Sequence, residues 1–196
     1  MRGRLRGWVI ILVGLVAALA GVLVVRSANE VANRANPPPG KVTATITVGN
    51  LPKGVVAAAG AVWVANSGDG SVSRIDPAAN KVTATITVGR DPVGVVAAAG
   101  AVWVANTFDG SVSRIDPATD KVTATITVGR GPVGVVAAAG AVWVANTFDG
   151  TVSRIDPATD KVTATITVGR DPVGVVAAAG AVWVANSGDG SVSRIG

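Results

Sequence analysis

The chain has 196 residues, a formal charge of +5 and no Cys, His or Tyr. Without Cys there is no disulfide and no thiolate metal site. The charge is uneven: residues 1–40 hold five Arg against Glu30, whereas 41–196 hold twelve Lys and Arg against eleven Asp. The larger part is therefore near neutral and lacks the basic patch that DNA or RNA binding requires.

Residues 1–7 form a basic tail carrying Arg2, Arg4 and Arg6, expected on the cytoplasmic side. Trp8–Val25 follows, a run of 18 uncharged and mostly apolar residues. As a helix it reaches about 27 Å, close to one hydrocarbon thickness, so a single transmembrane anchor is expected. The arginine bias puts the amino terminus in the cytoplasm and everything after the anchor outside. A cleaved signal peptide is the rival, but its apolar region is shorter, and Ala18-Leu19-Ala20 lies inside the apolar run rather than after it. Residues 26–40 are poor in apolar side chains and end in three prolines before Gly40, the composition of an extended, semi-rigid spacer.

From Lys41 onward one 40-residue unit is written four times, the last copy stopping short. Residues 81–120 and 121–160 differ only by Gly131 for Asp91 and Thr151 for Ser111. A fixed period of this length signals stacked modules rather than an ordinary globular core. Within a unit, Lys81 to Val88 alternates apolar residues with Thr, the two-residue period of a strand. Gly89-Arg90-Asp91-Pro92 breaks the ladder, since Pro has no amide hydrogen. Val93 to Ala98 and Ala101 to Asn106 read as a hairpin turning at Gly100. Asp109-Gly110 is a tight-turn dipeptide leading to a strand over Ser111 to Asp116, and Asp116-Pro117 opens the next turn.

Four antiparallel strands per repeat give an all-β fold, a β-propeller of four four-stranded blades. The blades are expected over 53–88, 93–128, 133–168, and 173–195 plus 41–48. The Ala and Gly of 93–100 suit the crowded innermost strand, and Trp63, Trp103, Trp143 and Trp183 suit the wedge between blades better than a ligand-stacking role. If the innermost strand begins each blade, Lys41–Val48 is an orphan outer strand and the copy ending at Ile195 lacks one. Joining the two removes the open sheet edge. Closure of four blades within one chain is expected, because local ends need no concentration-dependent step; the alternative is exchange in a homodimer sharing eight blades.

The unit resembles the YVTN-type β-propeller repeat of microbial envelope and extracellular proteins. The likeness rests on Trp63-Val64-Ala65-Asn66 and its copies at 103, 143 and 183, followed by a turn, a strand ending Ile-Asp-Pro and a strand ending Val-Gly. It implies a propeller fold and an envelope setting. More distantly the chain resembles virginiamycin B lyase-like propellers, whose chemistry depends on a histidine and Mg²⁺. With no histidine anywhere, and no Glu, Cys or Tyr in the repeats, no residue with an ordinary pKa near neutrality is present, and no catalytic residue is assigned.

The expected role is a membrane-tethered, non-enzymatic binding or scaffold module facing an envelope protein or glycan, with no cofactor. A shortened, recently duplicated repeat protein without intact activity is the other reading. The loop after the outer strand and the loop between the second and third strands share one face, which gathers Arg90, Arg130 and Arg170. Asp109 and Asp149 lie there too. Thr107-Phe108 and Thr147-Phe148 replace the Ser67-Gly68 and Ser187-Gly188 of the outer copies. Phe108 and Phe148 beside Arg130 form the candidate contact patch, since aromatic and Arg side chains are common interface anchors; the plainer role is to cover the blade tops. Asp69, Asp109, Asp149 and Asp189 before Gly, and Asp76, Asp116 and Asp156 before Pro, are each expected to cap their own turn. No Asp-x-Asp-x-Asp loop is present, so no metal site is expected.

Overall fold

The computed structural model describes residues 40–196. The basic tail, the Trp8–Val25 span and almost all of the 26–40 spacer lie outside the described residues. No helix among the described residues is long and apolar enough to cross a membrane.

Strands form where alternation and turn chemistry place them. The first sheet holds β1 (Pro52–Ala58), β2 (Ala61–Asn66), β3 (Ser71–Asp76) and β4 (Lys81–Thr87). The second holds β5 (Pro92–Ala98), β6 (Ala101–Asn106), β7 (Ser111–Asp116) and β8 (Lys121–Thr127). The third holds β9 (Pro132–Ala138), β10 (Ala141–Asn146), β11 (Thr151–Asp156) and β12 (Lys161–Thr167). The fourth holds β13 (Pro172–Ala178), β14 (Ala181–Asn186) and β15 (Ser191–Ile195). Each sheet runs in chain order with antiparallel neighbours. Pro92 opens β5 rather than preceding it, because the first residue of a strand need not donate to the ladder.

The first strands of successive sheets, β1, β5, β9 and β13, pack side by side. Their small residues permit this. A Cβ on Gly54, Gly94 or Gly134 would overlap the carbonyl oxygen of Val93, Val133 or Val173 in the next sheet.

Each sheet presents two unlike faces, one carrying Trp and one carrying Val, and they interlock. Trp63, Ala65, Val72 and Ile86 of the first sheet pack with Val102, Val104 and Ile115 of the second. Trp103, Val112 and Ile126 meet Val142, Val144 and Ile155 in the same way. Trp143 and Val152 meet Val182 and Val184 at the third junction. Trp63 and Trp103 are fully buried, and each indole Nε1 donates to the carbonyl of Ala58 or Ala98 at 3.1 Å, so the ring fills the wedge without stranding its polar end.

The closing strand expected from Lys41–Val48 is not formed: residues 41–48 carry no ladder and the fourth sheet has three strands. Among the described residues there is no core between the fourth sheet and the first. A Cβ on Gly174 would meet only Ala185, and one on Gly190 nothing, whereas the equivalent Gly134 and Gly150 abut the carbonyl oxygens of Val173 and Gly169. The contacts that seat each earlier sheet against its neighbour are thus missing at Gly174 and Gly190, and nothing among the described residues brings Lys41–Val48 beside β15.

Candidate functional site

The loops that precede β5, β9 and β13 meet the turns between the second and third strands of the same sheets, as strand direction requires. Asp109 accepts from the Arg90 amide at 2.7 Å and from Arg90 Nε at 2.6 Å. Asp149 does the same for Arg130 at 2.7 and 2.6 Å. Asp69 holds the Asn50 amide at 2.6 Å and its Nδ2 at 2.8 Å. The expectation that these Asp residues cap their own turns is therefore corrected: they clamp the loop 19 residues upstream. Asp76, Asp116 and Asp156 do cap their own turns, accepting from the amides of Ala78, Ala118 and Ala158.

Hydrogen bonds set the charge state of this face. Those from the Arg90 side chain, then its amide, hold the Asp109 carboxyl below the ordinary carboxylate range. For Asp149 the Arg130 amide leads and the side chain follows. Asp189 is also lowered, chiefly by the Ser191 hydroxyl, which donates at 2.6 Å. The Arg170 amide reaches Asp189 at 2.8 Å, but among the described residues the Arg170 guanidinium makes no ion pair. The structure thus treats Arg90 and Arg130 alike and sets Arg170 apart.

Phe108 and Phe148 are 64% and 59% exposed, so neither serves the core. Their surroundings differ. Gly131 occupies the place of Asp91, and a Cβ there would fall 2.6 Å from the Phe148 ring, so glycine lets that ring lie over the loop. Arg90 Nη2 instead donates to the Phe108 carbonyl at 3.4 Å.

The paired threonines matter in a way that residue type alone does not reveal. Thr107 Oγ1 donates to the Pro132 carbonyl at 3.0 Å and Thr147 Oγ1 to that of Pro172 at 2.8 Å, each tying its sheet to the next. Ser67 and Ser187 donate to the carbonyls of Leu51 and Asp171, within their own sheets. The only available signal was the pairing of Thr with Phe.

Among the described residues no three carboxylates converge. On the opposite side a depression of about 450 Å³ is lined by Ala57–Ala59, Ala97–Ala101 and Pro117, with no polar side chain to orient a small molecule. The Arg and Phe face presents guanidinium groups held by carboxylates beside exposed rings.

Solved structures share the fold at low identity. Hydrazine synthase of Kuenenia stuttgartiensis is 18% identical, with a TM-score of 0.62 over 80% of this chain and 52% of that one. Virginiamycin B lyase from Staphylococcus aureus is 15% identical, with a TM-score of 0.61 over 73% and 54%. The computationally designed Ika4 protein is 13% identical, with a TM-score of 0.68 over 80% of this chain and 100% of that one. These likenesses support a β-propeller-like repeat fold, and the chain spans about half the length of the two natural structures. No curated protein matches the sequence. The model of the family described as a repeat of unknown function, DUF6923, matches residues 16–148, more than half of the chain, and the chain belongs to that family.

Proposed function

We propose that the chain is an envelope β-propeller of YVTN type, tethered to the membrane by Trp8–Val25, lifted from it by residues 26–40, and serving as a non-enzymatic binding or scaffold module. One observation carries this reading. Phe108 and Phe148 stand exposed at the same position of successive sheets, each next to an Arg whose guanidinium an Asp holds in place. Exposed rings flanked by oriented guanidinium groups suit an envelope protein or glycan, because both present apolar patches beside hydrogen-bond acceptors. Likeness to a lyase at 15% identity supports the fold alone, and the absence of histidine weighs against carrying that chemistry over.

The test is binding of the purified full chain to isolated envelope fractions, compared with a Phe108→Ser/Phe148→Ser variant. Retention is expected to fall about tenfold or more, in keeping with the loss of two aromatic anchors. Unchanged retention would contradict the contact patch. Turnover of any substrate, lost on a single Asp substitution, would contradict the non-enzymatic reading.

A further inference from the structure

Among the described residues the junction between the fourth sheet and the first is unfilled. Its two sides are the Trp183 face of the fourth sheet and the Val62 and Val64 face of the first, the same residues that interlock at the three formed junctions. Here Val62, Val64 and Trp183 are only half-buried, whereas Val102, Val104 and Trp103 are fully buried. Val192 is 64% exposed, although its counterparts Val72, Val112 and Val152 are fully buried; Val55 is also 64% exposed. Among the described residues no strand lies beside the outer edge of β15. Between the third and fourth sheets an open cleft of about 640 Å³, lined by Trp143, Ile166 and Ile195, marks where an outer strand is missing. Val122 and Val162 fill the equivalent places at the first two junctions, and their counterpart Val42 is 79% exposed.

We infer that a second copy of this chain docks head to tail at both ends, so that two chains form one eight-blade ring and each lends Lys41–Val48 as the outer strand beside the other's β15. The choice of a second copy over closure within one chain rests on rotation. Were each junction a quarter turn, the fourth would form in the same chain as the other three; it does not. Such a head-to-tail contact closes when two copies supply the remaining rotation, and every edge left open in one copy is then paired.

The test uses disulfides in a chain with no native Cys. Val72 pairs with Ile86, Val112 with Ile126 and Val152 with Ile166, so Val192 is expected to pair with Ile46 of the other copy. Full chains carrying Ile46→Cys or Val192→Cys are mixed and oxidised. A species at twice the chain mass of 19.3 kDa on a denaturing gel, formed far faster in the mixture than from either variant alone, is expected. The double variant should give the same species, joined twice. A one-chain internal disulfide in the double variant, a ladder of three or more chains, or no cross-link would each overturn the inference. Gly174→Val supplies a second arm, because Gly174 is unobstructed within one copy but would meet the Lys53 carbonyl of the next, by analogy with Gly134 and Val173. It should abolish the cross-link while leaving the chain folded; a cross-link that survives it also overturns the inference.

Discussion

Arg74 of the first sheet reaches Asp120 of the second with Nε 3.5 Å from Oδ1, while its guanidinium lies 5.7 Å from the centre of the Trp63 ring. Arg114 repeats the contact with Asp160 at 3.6 Å, so the pair belongs to the junction and not to one copy. Its side chains are only about a third exposed, and Arg74 Nε makes no hydrogen bond apart from this contact.

Asp120→Asn should therefore lower the unfolding free energy by about 1 kcal/mol, at the upper end for a partly exposed pair. At the junction between copies the Arg194 of one chain faces Asn80 of the other, where the ion pair is missing. Asn80→Asp should tighten association several-fold at low salt, with the gain fading as salt rises. Titration by analytical ultracentrifugation at two ionic strengths reads both effects, and equal affinity for wild type and variant would contradict the junction as drawn.

The hairpins joining first and second strands carry an avoidable strain. Ala59, Ala99, Ala139 and Ala179 sit at φ near +50°, each followed by a glycine also at positive φ, the geometry of a two-residue primed turn. Alanine is disfavoured there by about 1 kcal/mol, whereas asparagine is tolerated. Ala99→Asn and Ala139→Asn should each raise stability by about 0.5–1 kcal/mol, measured by denaturant titration. A loss of stability in both would show that these turns are misread.

Acid should loosen the candidate binding face before it unfolds the sheets. Asp109 and Asp149 have pKa values lowered in the folded chain by their bonds to Arg90 and Arg130. A lowered folded value means the stabilisation is fully present above the unfolded carboxylate pKa, about 3.9, and is lost as pH falls through the folded value. Amide exchange at Arg90 and Arg130 should therefore accelerate only below about pH 4, while amides in β6 and β10 stay protected. Acceleration between pH 5 and 7 would contradict this assignment, since the Asp109 and Asp149 values are lowered, not raised.

Much of this was legible in the repeat. Alternation in 81–88 and the Asp-Gly and Asp-Pro turns bound the strands to within a residue, because side-chain period and turn chemistry are local properties. The wedge position of the tryptophans followed from size and recurrence. What eluded sequence reading depends on three-dimensional offsets between repeats. Asp109 lies in a turn like any other, and only the stacking of two loops shows that it holds Arg90. The Thr107 bond to Pro132 crosses a junction whose spacing no single unit encodes. Whether Lys41–Val48 returns to its own chain is set by the rotation per sheet, an angle that matched ends alone do not specify.

The central claim is that four sheets make half a ring. Its most direct test is the mass of the full chain in mild detergent by light scattering, with the detergent contribution subtracted. The account predicts a single species at twice 19.3 kDa that Gly174→Val converts to one chain. A wild-type particle of one chain mass, with Gly174→Val making no difference, would contradict it.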